Sequence, residues 1–380
     1  MVEVKGYVEP GLEPVRDLFG ANFDEGLELG ASCAVTLDGS FVVDIWAGDA
    51  DRAGTAWQRD TLVNVFSVTK TMAAIPVLML ADRGVLDLDA PVASYWPEFA
   101  QNGKESITVA QVMSHSSGLP AFDPPIPDVE FLYDWDACCE RLASQEPWWE
   151  PGTASGYHAI TQGYLLGEIV RRVTGRTIGR FFREEIAEPL DADFHLSLEA
   201  LQDGRVAELI PPKGSIADNA ADQPPDSIAA RTYASSPLTG SEPGTRAWRG
   251  AEIPAIAGTG NARSVARVHA MMACGGELDG VRIMSEAGVA RACEEQVRGT
   301  DLVSGVPLVF GLGFALNSEA TPISPNDRAL FWAGWGGSFA VIDLDARVSV
   351  AYAMNKMADD QASDFRGGLL AATALASLQP

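Results

Sequence analysis

Residues 65–80, Val-Phe-Ser-Val-Thr-Lys-Thr-Met-Ala-Ala-Ile-Pro-Val-Leu-Met-Leu, restrict this chain more than any other stretch. The run reads as a buried helix, yet it carries Lys70 between apolar neighbours. A lysine buried in this way needs a partner or a purpose. Ser67 lies three residues before it, and residues three apart on a helix share a face. With a helix start near Ser67, the amine comes within reach of the hydroxyl. The serine then sits among free N–H groups at the positive end of the helix dipole. A nucleophile, a neighbouring base and a place for an oxyanion are the parts of an acyl-transfer site. None of the other lysines, Lys5, Lys104, Lys213 and Lys356, has a serine three positions before it. The plainer alternative is an N-cap serine beside a solvated lysine, and the tetrad alone does not separate the two.

The rest of the composition narrows the partners. At 380 residues the chain can build one large core or two domains. Twenty-seven basic against 52 acidic residues leave a formal charge of −25, which disfavours nucleic acid and anionic membranes. No apolar run reaches the ~18 residues of a membrane-spanning helix. The first residues, Met1 to Lys5, carry no basic region followed by an apolar one. Cys33, Cys138, Cys139, Cys274 and Cys293 are odd in number, and two are adjacent. That is no disulfide framework, and it leads us to expect a reducing, cytoplasmic compartment. His115, His158, His195 and His269 are not spaced as a zinc site, so neither metal nor cofactor is expected.

Taken in order, the chain begins with helical spacing of Val15, Leu18, Phe19 and Phe23. A hairpin follows, with runs 34–37 and 41–46 joined by Asp38-Gly39-Ser40. The Ser67 helix should close near Arg83-Gly84. Helices are predicted over 107–113, 134–144, 160–173 and 177–186. Residues 209–249, rich in proline, glycine and small polar types, read as a long irregular segment. A helix is predicted over 264–272, one strand over 309–316, paired strands around 331–343 and 348–354, and a last helix over 365–378. Strands at both ends and a helical middle imply an α/β domain of residues 1–89 and 256–380. Residues 90–255 would form an inserted, mainly helical domain.

Three motifs in order carry a family resemblance. They are Ser67-Val-Thr-Lys70, then Ser114-His115-Ser116-Ser117-Gly118-Leu119-Pro120, then Pro151-Gly152-Thr153-Ala154-Ser155-Gly156-Tyr157. Together they resemble the serine β-lactamase and penicillin-binding-protein superfamily, and within it the family VIII carboxylesterases, relatives of class C β-lactamases. The resemblance runs from about residue 10 to the C-terminus. It implies a β-lactamase-like fold, an antiparallel sheet flanked by terminal helices. It makes Ser67 the nucleophile, Lys70 its base partner and Tyr157 the second-motif tyrosine. Two departures favour esterase over β-lactamase. Class C enzymes have asparagine two residues after the tyrosine, where this chain has Ala159. Their third motif is Lys-Thr-Gly, and this chain has no lysine there. Trp335-Gly336-Gly337-Ser338 is the preferred match, and Trp332-Ala333-Gly334 is an alternative register.

On this reading Ser67 attacks an ester carbonyl, and Lys70 takes its proton if desolvation lowers the amine's pKa. Tyr157 acts as a phenolate base or as a relay to the leaving alcohol. The oxyanion takes the N–H groups of Ser67 and Ser338, with Trp335, Gly336 and Gly337 beside it. His158, Trp148 and Trp149 are candidate pocket residues, with structural roles as the competing reading. His115 is expected to brace the floor of the site. The expected function is hydrolysis of small to medium carboxylic esters without a cofactor. An amidase, peptidase or β-lactamase, an acyltransferase, and a non-catalytic scaffold are the alternatives.

Overall fold

The computed structural model describes residues 2–359 and 364–378. The first 60 residues supply β1 (Lys5–Val8), α1 (Glu13–Asp24), β2 (Gly30–Leu37) and β3 (Ser40–Gly48). Strand β4 (Val63–Asn64) leads into a 3₁₀ turn, Phe66–Val68, and then α2 (Thr69–Asp82). Helices α3 (Val109–Met113), α4 (Trp135–Ser144), α5 (Thr161–Thr174), α6 (Ile178–Phe182), α7 (Ile228–Ala234) and α8 (Arg246–Gly250) fill the middle. Then come β5 (Thr259–Gly260), α9 (Ala262–Ala273), the hairpin β6 (Glu277–Leu278) and β7 (Val281–Arg282), and α10 (Glu286–Arg291). The chain closes with β8 (Val297–Thr300), β9 (Pro307–Phe310), β10 (Ala315–Leu316), β11 (Ala329–Ala333), β12 (Phe339–Asp343), β13 (Val348–Met354) and α11 (Arg366–Ser377).

Among the described residues, nine strands form one sheet in the order β1-β3-β2-β13-β12-β11-β10-β9-β8, and every neighbouring pair is antiparallel. The two ends of the chain therefore meet at its centre, where β2 pairs β13 from Leu37–Val348 to Ala31–Met354. Side chains alternate across a strand, and both faces here are apolar. Val341, Val350 and Tyr352 join one core with Val15 and Phe19 of α1 and Leu370 and Ala374 of α11. Ala340, Ile342, Ala351 and Ala353 join the other with Val265, Val268 and Met272 of α9. This is the expected antiparallel sheet with terminal helices on one face. All nine strands come from residues 5–48 and 297–354.

Helix α2 runs through the larger core, with every residue from Thr69 to Leu80 buried. A helix apolar on all sides has no solvent face to present, and α5, α6 and α10 surround it. Its partner α5 is stopped by Gly175 at φ 70°, as its Thr-Gly signal predicts.

Three expectations differ from the structure. The predicted strand 309–316 is two strands, β9 and β10. Gly313 at φ +86° and the Gly311 N–H to Phe314 O bond of 2.9 Å turn the chain between them. Residues 209–249 contain a 3₁₀ stretch, Ile216–Asp222, as well as α7 and α8. Ser227 and Thr245 cap those helices by accepting from Ala230 N at 3.0 Å and Trp248 N at 3.2 Å. The predicted helix 177–186 stays α-helical only to Phe182 and widens to a π turn over Arg183–Ala187.

Candidate active site

Ser67 sits in the 3₁₀ turn ahead of α2 rather than in the helix proper. The residue before it, Phe66, has φ 42°. A side-chain-bearing residue in the left-handed region is strained by roughly 1–3 kcal/mol and persists only when its surroundings hold it there. Here they do. Asn64 Oδ1 accepts the Phe66 N–H at 3.2 Å, and the Thr69 hydroxyl donates to Phe66 O. Asn64 is fixed in turn by donating to Ile256 O and Gly258 O at 3.1 and 3.3 Å. The rings of Trp335 and Trp248 meet Phe66 edge-on, with centroids at 5.1 and 6.5 Å. The strained turn presents Ser67 at one fixed place.

Lys70 Nζ lies 3.3 Å from Ser67 Oγ, and donates to Ala159 O at 2.7 Å and Ala255 O at 3.1 Å. Burial pushes the amine well below its ordinary pKa. A neutral amine has two N–H groups and one lone pair. The two carbonyls take the N–H groups, which leaves the lone pair for the Ser67 hydroxyl proton. On the other side the Tyr157 hydroxyl donates to Ser67 Oγ at 2.6 Å. Burial pushes the phenol above its ordinary range, and hydrogen bonds with Ser67 and the Trp332 indole pull it partly back. The Lys70 ammonium position is 4.8 Å from the Tyr157 ring centre. The Ser67 oxygen thus has two close neighbours, the Tyr157 hydroxyl at 2.6 Å and Lys70 Nζ at 3.3 Å.

The third segment reaches the site through Trp332 and Gly334. Trp332 lies near the end of β11, stacks on His115 at 5.4 Å, and its ring lies 5.9 Å from that of Tyr157. Gly334 presses against the nucleophile turn: a Cβ there would lie 2.3 Å from Val65 O and 2.1 Å from Ser338 Oγ. β10 pairs β11 only at Leu330 and Phe331, so the edge beyond is open. The Gly334 N–H points inward to Ser338 O at 2.7 Å. Among the described residues, the N–H groups of Ser67 and Trp335 make no hydrogen bond. The Ser338 N–H is also unbonded, but Ser338 lies on the β12 side of the turn, between β11 and β13. Its hydroxyl donates to Val65 O at 2.7 Å. Gly336 and Gly337 face Met357, Asp364 and Arg366, away from Ser67.

The remaining candidates brace the site. His158 is fully buried. Its Nε2 meets Ser117 Oγ at 2.7 Å and accepts from Leu119 N at 3.3 Å, so its Nδ1–H donates to Gly156 O at 2.5 Å. Burial holds its pKa down at about 3, and it stays neutral. Trp149 donates to Ala154 O at 3.0 Å and stands edge-on to His158, behind the tyrosine segment. Trp148 carries the guanidinium of Arg231, from α7, 3.7 Å over its ring. His115 lies under the site, 5.1 Å from the Tyr157 ring and 5.0 Å from Phe310.

Sequence reasoning missed Asp301. Its buried carboxylate accepts the Tyr157 N–H at 3.1 Å and those of Val303 and Ser304 at 3.0 and 2.9 Å, all through Oδ1. Nothing in the local sequence marks an aspartate 144 residues from the tyrosine it anchors. Asp301→Asn keeps an acceptor oxygen for these three bonds, whereas Asp301→Ala removes it. The alanine variant is therefore expected to lose ~10-fold or more in kcat through misplacement of Tyr157, with asparagine restoring most of it. Equal kcat in the two variants, measured on the same ester, would refute this role.

A family model described as Beta-lactamase matches residues 19–374. The chain is 38% identical over 367 residues to the esterase/beta-lactamase LipL of Mycobacterium tuberculosis, covering 93% of this chain and 83% of that protein. Among solved structures, it is similar to a family VIII carboxylesterase with a TM-score of 0.90 and 42% identity, over 99% of this chain and 100% of the other. It is also similar to a penicillin-binding-protein homologue from Caulobacter crescentus, with a TM-score of 0.89 and 39% identity, over 99% and 100%.

Proposed function

This chain belongs to the beta-lactamase family and is a serine ester hydrolase of that superfamily, and from that premise we propose that it cleaves small carboxylic esters through an acyl-enzyme on Ser67. The observation that carries this reading is the placement of Tyr157 and Lys70 at the serine oxygen, with the phenol hydroxyl at 2.6 Å and the amine at 3.3 Å. Lys70, neutral by burial, takes the Ser67 proton as Oγ attacks the ester carbonyl. Tyr157, kept protonated, gives its proton to the departing alkoxide. The phenolate so formed is next to the new Lys70 ammonium and recovers a proton from it. Water then gives a proton to Lys70 as it attacks the acyl carbon, and the acyl–Oγ bond breaks with that proton passed to Ser67 Oγ, releasing the acid and restoring the free serine. A raised phenol pKa favours this donor role over the phenolate base considered from sequence.

For the third motif this reading adopts the register Trp332-Ala333-Gly334. The oxyanion is assigned to the free N–H groups of Ser67 and Trp335, at the open edge of β11, in place of Ser338. The helical stretch 90–255 is treated as an insertion, since it contributes Tyr157 and the Ala255 carbonyl to a site otherwise built from the sheet domain. The alcohol of the ester departs as a neutral product, so no charged partner or cofactor is required of the substrate. The test is a fluorophosphonate probe, which is expected to label the wild type at Ser67, with labelling and hydrolysis of p-nitrophenyl butyrate both lost in Ser67→Ala. A wild type that resists the probe, or a Ser67→Ala variant that still turns over the ester, would overturn the assignment.

A further inference from the structure

Behind the Trp335–Ser338 turn lies a buried charge cluster that the chemistry above does not use. Arg366, at the start of α11, is only 6% exposed. Its Nε donates to Asp364 Oδ1 at 2.9 Å. Its Nη1 donates to Leu27 O, Glu28 Oε2 and Lys356 O at 3.0, 2.9 and 3.1 Å. Its Nη2 donates to Gly336 O and Asp364 Oδ2, each at 2.9 Å. All five N–H groups of the guanidinium are thus engaged, and none is left for an anionic substrate.

Gly336 O is held twice, since the Ala358 N–H also donates to it at 3.1 Å. The turn rests directly on the cluster. Gly337 has φ +127°, and a Cβ there would lie 2.4 Å from Asp364 Oδ2 and 2.7 Å from Arg366 Nη2. The residue immediately before the clamped glycine is Trp335. Its N–H is the second oxyanion donor on the reading above, and its ring leans on strained Phe66 beside the nucleophile.

We propose that Arg366 is a positioning residue for ester hydrolysis: gripped by Glu28 and Asp364, it fixes the Gly336 carbonyl and so sets where the Trp335 N–H points. This rests on the oxyanion assignment given above. A planar guanidinium held on three sides transmits little slack, and oxyanion donors work only when preorganised. The strength of the grip depends on Glu28. That carboxyl faces Arg366, Tyr352, Asp364 and Lys356. Burial raises its pKa to about 7 against the pull of Arg366. Below that pH Arg366 balances Asp364 alone. Above it, ionised Glu28 adds a second charged hold on Nη1, so the positioning strengthens as pH rises through neutrality.

The experiment measures kcat per active site, with sites counted by end-point fluorophosphonate titration, and KM, from pH 5.5 to 9. The variants are Arg366→Lys, Arg366→Met and Glu28→Gln. A misplaced rather than deleted oxyanion donor is expected to lower kcat per titrated site ~10-fold in the arginine variants, with KM within about twofold. Glu28→Gln is expected to lose the inflection near pH 7 while keeping any set by Lys70. Arginine variants with fewer titratable sites but wild-type turnover at each would make Arg366 merely structural and overturn the proposal. If those variants do not fold, a Glu28→Gln profile unchanged from wild type overturns it instead. Failure of the wild type to take up the probe would overturn the serine mechanism and this inference with it, an outcome distinct from a loss confined to the Arg366 and Glu28 variants.

Discussion

Lys70→Ala is expected to lower kcat by roughly 10³- to 10⁴-fold, close to the loss in Ser67→Ala, because nucleophile and base act as one unit. The expectation follows from counting hydrogen bonds. Two carbonyls, Ala159 O and Ala255 O, hold the amine so that its third direction faces Ser67 Oγ. No other basic group contacts that oxygen among the described residues; the neighbour on its far side is the Tyr157 phenol. A Lys70→Ala variant that keeps more than about a tenth of wild-type kcat would show that the lysine is not the base. The pH dependence carries its own sign. Base function needs the neutral amine, and burial lowers Lys70 well below its ordinary value. Activity should therefore be present above the lowered pKa and fall away as pH drops through it. An exposed lysine would withhold activity until above pH ~10. The same shift makes stability rise with pH across the window between the lowered and the ordinary pKa, because there the unfolded chain binds the extra proton.

How far the site could be read in advance depended on sequence distance. Ser67 and Lys70 are one helical turn apart, so local geometry alone predicts their contact. Even so, the structure places the serine in a 3₁₀ turn entered through a left-handed Phe66, a strain that no propensity announces. Tyr157 became visible only through the order of its flanking motifs. The third motif was ambiguous because two Trp-containing segments lie three residues apart. Pairing supports the register proposed above: β11 ends at Ala333, β10 pairs it only as far as Phe331, and the Trp332 ring lies 5.9 Å from that of Tyr157. Asp301 and Arg366 were illegible for a common reason. Each acts on a backbone group far along the chain, and a backbone acceptor or donor has no residue type to betray it. In the fold, alternating strands and capped helices were read well, while glycine-broken strands and short helices inside loops were not.

Neutral esters are expected to be cleaved at least ~100-fold more efficiently than a chromogenic cephalosporin, a gap of about 2.7 kcal/mol in transition-state binding. A β-lactam carries a carboxylate beside its ring, and holding it calls for a cation at the mouth of the site. In the register adopted above, the third-motif position that would supply one is Trp332, which carries no charge and whose ring lies 5.9 Å from that of Tyr157. Arg366, the guanidinium behind the same turn, is buried and fully bonded. Lys70, its pKa lowered by burial, is turned to the serine. Ala159 offers no side-chain amide to a lactam substituent; its carbonyl anchors the base instead. The chain's charge of −25 further opposes anionic ligands at long range, though salt screens this beyond ~8 Å. The measurement is kcat/KM for p-nitrophenyl butyrate, a less activated alkyl butyrate and the cephalosporin on the same preparation. The alkyl ester matters because aryl esters are intrinsically reactive and could flatter a poor esterase. Comparable kcat/KM on the cephalosporin with the alkyl ester untouched would overturn the esterase reading and mean that the acyl-enzyme on Ser67 serves a lactam or peptide.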